Sequence, residues 1–200
     1  MRQTRSFRWS VIAVVVATGL LALPAAGAAQ AVTGNAGAAR VTKLGLGGAT
    51  TVLADTGTLG GPSDVRDASL VTGSVPSVLN GEVLNAVTIG WPDQVASAAS
   101  LANLGLNVGG VGISADFVMA TATAVLGGAG SGSCLIDNLS IGGVPIAVTG
   151  EPNQTVPIPG GRVVVNEQTV TPAGTTVNAL HATVLGVVDV VIASATAGIR

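Results

Sequence analysis

The sequence has very few aromatic, histidine and cysteine side chains, and this scarcity excludes several kinds of binding site. Its 200 residues include two Trp, two Phe, no Tyr, one His and one Cys. Surfaces that bind sugars or single-stranded nucleic acid commonly stack their ligands on exposed aromatic rings. Trp91 and Phe117 are the only aromatic residues after position 31, so the chain has too few rings for such a surface.

Charge is scarce as well, since eight Lys and Arg and ten Asp and Glu give a net charge of -2. Beyond residues 1–31 the chain keeps five basic and ten acidic residues. Nucleic-acid binding needs a basic face, and membrane-surface binding needs a cationic amphipathic helix. The basic residues are too scattered for either, so we predict neither kind of partner.

Cysteine chemistry is limited to one residue, Cys134, so no internal disulfide can form. No Lys, Arg or His adjoins it to lower the pKa of its thiol. We predict a buried, unreactive thiol in a strand, with an intermolecular disulfide or a reactive thiol as the alternative.

The first residues have the layout of a secretory signal peptide. Three arginines precede an uncharged apolar run at 11–23, and a tail of small residues follows it to Ala31. The apolar run is shorter than the roughly 20 residues that span a bilayer. We therefore predict that residues 1–31 are a cleaved signal peptide, with the cleaved bond after Ala31 or Ala28 left open. An uncleaved N-terminal anchor is the alternative.

The rest of the chain is predicted to be a single domain. Residues 32–41 are small and uncharged up to Arg40, and they predict a flexible leader before an all-β domain at 42–200. Short apolar stretches separated by Gly-Gly pairs and prolines are typical of β-sandwiches and barrels. We predict an antiparallel two-sheet sandwich, with a β-solenoid as the alternative.

Several segments have the composition of strands. The clearest is a hairpin at 135–148, in which Gly142 and Gly143 suit a tight turn and Pro145 belongs at an edge or strand start. The Ala-rich 96–106 segment and the apolar C-terminal region are read as strands rather than as a helix and a membrane span. The other predicted strands are 163–170, 175–185 and 187–196. From Ile113 onward, strict alternation predicts one shared face for Ile113, Ala115, Phe117 and Met119.

Six of these segments, taken in order, resemble the choice-of-anchor P domains of bacterial surface proteins. They are ASLVTGSVPSVLNGEVLNAVTIG (68–90), ASAASLANLGL (96–106), ISADFVMATATA (113–124), VVVNEQTV (163–170), VNALHATVL (177–185) and VDVVIASA (188–195). The resemblance implies an exported, cell-envelope or extracellular bacterial protein without a known enzymatic activity. The chain departs from that pattern because no LPxTG-like or comparable sorting motif follows its last strand, so direct anchoring is not expected.

His181 is the only histidine, so any histidine-based catalysis must pass through it. Strict alternation places it on one face of its strand with Val177, Ala179 and Thr183, while Asn178 lies on the other face. No Gly-x-Ser-x-Gly motif accompanies it. We therefore predict a structural histidine.

Carboxylates offer two further candidate sites. Glu151 and Glu167 could form a glycosidase pair, but that chemistry usually needs the aromatic subsites that this chain lacks. The run from Asn166 to Gln168, which contains Glu167, is instead predicted to lie at a bulge or an edge. A loop calcium site is suggested by three nearby carboxylates, although they lack an Asp-x-Asp-x-Asp-Gly pattern. These carboxylates are Asp55, Asp64 and Asp67.

The function predicted from these features is a structural or interaction role in the bacterial envelope or outside the cell. We predict no catalytic, cofactor or metal site. The expected partners are other envelope or extracellular proteins, or further copies of the same chain. The alternatives are a calcium-binding or ligand-binding module, and a secreted hydrolase for which His181, Glu167 and Asp189 would be the residues to test.

Overall fold

A computed structural model describes residues 30–44 and 48–200. The predicted signal peptide therefore lies outside the described residues, except for its last two positions. The described residues form thirteen strands and no helix. In chain order they are β1, Val32–Lys43; β2, Ala49–Asp55; β3, Val65–Val75; β4, Leu79–Gly90; β5, Gln94–Val108; β6, Val111–Val125; β7, Ser131–Asp137; β8, Ser140–Ile141; β9, Val144–Pro145; β10, Gln154–Ile158; β11, Gly161–Thr171; β12, Gly174–Val184; and β13, Val188–Ile199.

The strands form two antiparallel sheets that do not close into a barrel. One sheet has six strands in the order β10-β11-β12-β13-β1-β2. The other has seven strands, in the order β3-β4-β5-β6-β8-β9, with β7 also paired with β6. The predicted all-β, two-sheet architecture is confirmed, and the β-solenoid alternative is wrong. Within the described part of the chain, no helix is long and apolar enough to cross a membrane.

The predicted flexible leader is wrong, because residues 32–41 belong to β1. This strand lies inside the six-stranded sheet, between β13 and β2, and buries Ala36, Ala38 and Ala39. At its start, Ala31 exchanges two backbone hydrogen bonds with Arg200, of 2.9 and 3.1 Å. The small side chains that suggested flexibility are instead the part of β1 that faces the core.

The other strand predictions agree with the structure. The 96–106 segment lies within β5, and the three predicted C-terminal strands lie within or largely overlap β11, β12 and β13. The hairpin turn is confirmed at Gly142 and Gly143, whose φ angles of 61° and 80° are left-handed. Its first arm is interrupted at Asn138, between β7 and β8. Pro145 lies in β9 at a sheet edge, as predicted.

The core is built largely from Ala, Val, Leu and Ile, and the two sheets approach closely in one region of it. A Cβ atom on Gly132 in β7 would collide with the Val177 side chain of the opposite sheet. In the same cross-strand row, the Ser97 hydroxyl donates to the carbonyl of Thr196 at 2.7 Å, which links the two sheets directly. The buried Thr88 hydroxyl lies 2.7 Å from the Ser97 oxygen and completes this link.

The strands of the six-stranded sheet change the face that they bury partway along their length. In β12, Val177 and Ala179 point into the core, and the next buried positions are Leu180 and Ala182. Because Ala179 and Leu180 are consecutive and both point inward, the outward-facing residues are even-numbered before them and odd-numbered after them. The prediction that His181 shares a face with Val177 and Ala179 is therefore wrong, since it assumed unbroken alternation.

The same change occurs at matching positions of four neighbouring strands. The cross-strand pairs on either side place Ala38, Ala193, Ala179 and Asn166 at equivalent positions, where the pairing itself is interrupted. All four are buried, and Ala193 and Asn166 have left-handed φ angles of 50° and 52°. We call this row the crease. Three alanines fit there because two successive inward residues bring the backbone close to the opposite sheet.

The seven-stranded sheet changes face in the opposite sense. In β6 the buried residues are Ile113 and Ala115 before Asp116, and Val118 and Ala120 after Phe117. The predicted shared face of Ile113, Ala115, Phe117 and Met119 is therefore wrong beyond Ala115. Since Asp116 and Phe117 both turn away from the core, this sheet has room for the inward crease of its partner.

Candidate functional site: a polar trench on the six-stranded sheet

The crease leaves a trench on the outer face of the six-stranded sheet, because two successive residues of each strand turn inward there. Two cross-strand rows of outward-facing residues border it. The first row consists of Val164, His181, Val191, Arg40 and Val52. The second row consists of Glu167, Asn178, Ser194, Gly37 and Asp55.

Where the trench crosses β13 and β1, it encloses about 250 Å³. Its lining combines a cation, Arg40, and a carboxylate, Asp55, with the neutral polar side chains of Asn35, Asn178 and Ser194. Gly37 adds no side chain, and a Cβ atom there would lie 3.6 Å from the nearest carboxylate oxygen of Asp55. The hollow therefore has Arg40 between valines on one side and polar side chains with donors and acceptors on the other.

The two charged groups of this hollow differ in how firmly they are held. Asp55 accepts hydrogen bonds through Oδ1 from the Gly57 backbone amide at 2.6 Å and from Asn35 Nδ2 at 3.1 Å. Arg40 is exposed, and no hydrogen bond or ion pair within residues 30–44 and 48–200 engages its guanidinium. A ligand in the trench would thus meet a fixed carboxylate and an available cation.

The other part of the trench is bordered by an ionic cluster centred on His181. Its Nδ1 lies 2.8 Å from Glu167 Oε2 on β11, and its Nε2 lies 2.8 Å from Asp189 Oδ2 on β13. Asn178 also donates to Glu167 Oε2, at 2.7 Å. The three charged side chains are each about one-quarter exposed. The cluster therefore joins three neighbouring strands through side chains.

This geometry favours the protonated form of the histidine. Burial alone would lower the pKa of His181, but the hydrogen bonds to Asp189 and Glu167 outweigh it and raise the pKa above its usual 6.5. Burial likewise opposes ionisation of Glu167, yet the bonds from His181 and Asn178 lower its pKa below the usual 4.5. The arrangement thus favours an imidazolium between two carboxylates.

An imidazolium held in this way is poorly suited to catalysis as a base. Thr183 supplies the nearest hydroxyl, with Oγ1 3.3 Å from His181 Nε2 and 3.4 Å from Asp189 Oδ2. A Ser-His-Asp type of mechanism needs an imidazole nitrogen free to accept the hydroxyl proton. Here both ring nitrogens of His181 face carboxylates. The Thr183 hydroxyl therefore has the Asp189 carboxylate beside it but no imidazole nitrogen free to accept its proton.

Of the two residues considered for a glycosidase pair, Glu167 has its carboxylate engaged and Glu151 lies in an exposed loop. Glu167 bonds with His181 and Asn178, whereas the Glu151 backbone amide bonds with the Thr149 hydroxyl in the loop before β10. The polar run that contains Glu167 begins where β10 stops pairing with β11, so its predicted edge position is confirmed. The β11–β12 pairing is interrupted at Asn166 and Ala179 but keeps the same register on both sides, so the extra residue of the predicted bulge is absent.

The three candidate calcium ligands do not converge. Asp55 closes a turn at Gly57, and Asp64 bonds with the Gly60 amide at 2.7 Å and with Arg66 Nε at 2.9 Å. Asp67 lies in β3 opposite Val87. Among the described residues, no group of three His, Cys, Asp or Glu side chains is placed to hold a metal ion.

Cys134 lies in β7, which confirms the predicted strand position, but its side chain is only partly buried. Burial raises the pKa of its thiol and outweighs the opposing hydrogen bond from the Asn166 backbone. The neutral thiol is therefore favoured, in agreement with the predicted low reactivity.

Sequence reasoning named the three members of the ionic cluster but missed the trench and its Arg40–Asp55 half. The signal lies in adjacent apolar pairs that break alternation, namely Ala38-Ala39 and Ala179-Leu180, whereas the equivalent place in β13 lies within the longer apolar run 190–193. Two successive apolar residues in an otherwise alternating strand indicate a change of buried face. This rule predicts a change of buried face within a strand, whereas the alignment of these changes into the crease depends on the strand register.

No protein-family model matches this chain, and no curated protein or solved structure matches it significantly. The resemblance to choice-of-anchor P domains therefore remains a prediction that depends on the six sequence segments.

Proposed function

We propose that this protein is an exported, non-catalytic interaction module of the bacterial envelope or extracellular space, and that the trench is its recognition surface. The signal-peptide layout of residues 1–31 supports export. The resemblance to choice-of-anchor P domains supports the bacterial surface as its place of action.

One observation carries the recognition role: side chains of both charge signs border the trench on the outer face of the six-stranded sheet. Glu167, His181 and Asp189 lie at one part of the trench, and Arg40 and Asp55 at the other. Charges of both signs on a rigid sheet provide specificity through complementary partner charges. His181, Asp189 and Arg40 lie on the inner strands β12, β13 and β1, which keeps their positions fixed.

The shape of the trench favours an extended polar segment of another envelope or extracellular protein. One bordering row is polar apart from Gly37, and the other combines His181 and Arg40 with three valines, so the trench offers polar and apolar contacts to a single extended chain. Arg40 can bind a carboxylate of the partner, and Asp55 can bind an amine or a guanidinium. The neutral amides and hydroxyls between them suit backbone groups of the bound segment.

Export is tested by fractionating the native host into cytoplasm, membrane, washed surface and medium, with mass spectrometry of the N-terminus in each fraction. We expect protein that starts at residue 29 or 32 in the surface or medium fractions. Protein that retains Met1 and stays in the cytoplasm would refute export.

Recognition is tested by adding purified protein to washed host cells and measuring saturable binding. Gly37→Gln should fill the hollow and weaken binding by about tenfold or more. Gly112→Gln is the matched control, because Gly112 is a strand glycine as well but lies exposed on the seven-stranded sheet with no atom near its Cβ position. Equal binding by both variants, or no saturable binding of the wild type, would refute the trench as the recognition surface.

A further inference from the structure

The sheet edges in the described part of the chain differ in how well they are protected against further strand pairing. The five-residue β10 contains Pro157, and the two-residue β9 contains Pro145. The β7 edge is covered by the other sheet, since Gln168 Nε2 donates to the Gly132 carbonyl at 3.1 Å. Short length, proline and a covering contact are the usual means of blocking an edge.

The edge strand β3 has none of these protections. It is 11 residues long, pairs with β4 on one side only, and contains no proline or lysine. Its residues from Ala68 to Val75 are uncharged, and Val71 is 83% exposed. The shorter β2 does not pair with this edge. It packs against β3 through a side chain, since Leu53 Cδ1 comes within 3.1 Å of the Cβ position of Gly73. A long, apolar and open edge is a template for another strand.

We propose that β3 pairs with β3 of a second copy of this chain, antiparallel about a two-fold axis at Leu70. The pairing would join the two seven-stranded sheets into one continuous sheet. Leu70 would lie opposite its own counterpart, and the neighbouring strand would shield part of the exposed Leu70 and Val71 side chains from water. An isologous contact of this kind closes after two subunits and does not propagate into a fibre.

The charges of β3 favour a second copy in this antiparallel register. Arg66 and Asp67 are its only charged residues. In the antiparallel register centred on Leu70, Arg66 lies opposite Ser74 and Asp67 lies opposite Gly73 of the other copy. No two like charges are therefore paired. Parallel pairing in register would instead place each charge against its own counterpart, which is destabilising. The trench lies on the other sheet, so the dimer leaves both trenches open and does not depend on the proposed recognition role.

The first test is sedimentation of the mature protein, purified from the secreting host, over a range of concentrations up to about 1 mM. We expect a reversible monomer–dimer equilibrium. Val71→Lys should weaken it about tenfold or more, since a lysine on the edge opposes pairing. Val170→Lys is the matched control, because Val170 is a strand residue of the other sheet with 72% exposure. A monomer at every concentration, or equal effects of the two variants, would overturn the proposal.

The register is tested by disulfide trapping in a Cys134→Ser background. Leu70→Cys should give a covalent dimer rapidly under mild oxidation, because directly opposed strand residues have the Cα separation that a disulfide needs. Thr72→Cys, which would lie opposite Ala68 of the other copy, should cross-link far more slowly. Equal rates for the two variants would overturn the two-fold axis at Leu70.

Discussion

The ionic cluster on the outer face of the six-stranded sheet should make stability depend on pH in a defined direction. His181 is the only histidine of the chain, so its imidazole resonances report one group without overlap. We expect them to titrate with a pKa above 6.5, because two carboxylates hold the ring. Glu167→Gln should lower that pKa, whereas Glu151→Gln, which changes an exposed loop carboxylate, should leave it unchanged.

The effect on stability follows from the directions of the two pKa shifts. The folded-state pKa of His181 is raised, so its contribution is complete below its unfolded-state value near 6.5 and is lost as pH rises through the folded-state pKa. The folded-state pKa of Glu167 is lowered, so its contribution is present above about 4.5 and is lost as pH falls through the folded-state pKa. The cluster should therefore stabilise the fold most between about pH 4.5 and 6.5.

The magnitude is set by two charge-assisted hydrogen bonds between partly exposed groups. Such a bond contributes about 1 kcal/mol after solvent screening, so the pair contributes about 2 kcal/mol. For a domain of this size, that corresponds to a change in Tm of about 4–8 °C. Thermal unfolding of the wild type and of His181→Gln from pH 5 to 9 measures it. A difference in Tm between them that does not shrink above pH 6.5 would refute the protonated, doubly bonded histidine.

Three further predictions concern the core. Ser97→Ala removes the hydroxyl that links the sheets and leaves buried partners unbonded, so it should cost about 2 kcal/mol in urea unfolding, with an exposed Ser69→Ala as the control. Gly132→Ala places a methyl group against the opposite sheet and should cost about 1–3 kcal/mol, whereas Gly112→Ala, with open space around it, should be neutral or stabilising. Asn166→Ala removes a buried amide that donates to a backbone carbonyl at 2.8 Å and places alanine at a left-handed φ, so thermal unfolding should show a loss of about 1–3 kcal/mol. Wild-type stability in any of the three destabilising variants would contradict the corresponding contact.

Composition and local patterns predicted the all-β fold and most of its strands. β-branched residues favour strands and paired glycines favour tight turns, and both effects can be read from short segments of the sequence. The Gly142-Gly143 hairpin turn is the clearest example, since both residues adopt the left-handed angles that the turn requires. Local patterns failed at Val32–Lys43. There, alanine and glycine indicated flexibility, but they are the residues that allow a strand to lie in the narrow core.

The candidate site was harder to predict because it depends on how separate strands are aligned. Strict alternation placed Asn178 and His181 on opposite faces, whereas both contact Glu167. The change of face at Ala179 could be read from adjacent buried residues in its own strand. Its alignment with Ala38 and Ala193 depends on the register of three strands, which no single segment specifies.

The proposed recognition role of the trench is tested most directly by backbone amide NMR of the mature protein during titration with washed envelope fragments of its host. We expect shifts or line broadening confined to the trench, with Gly37, Asn178 and Ser194 affected most. Perturbations centred on the seven-stranded sheet, or none at saturating amounts of envelope, would contradict the account.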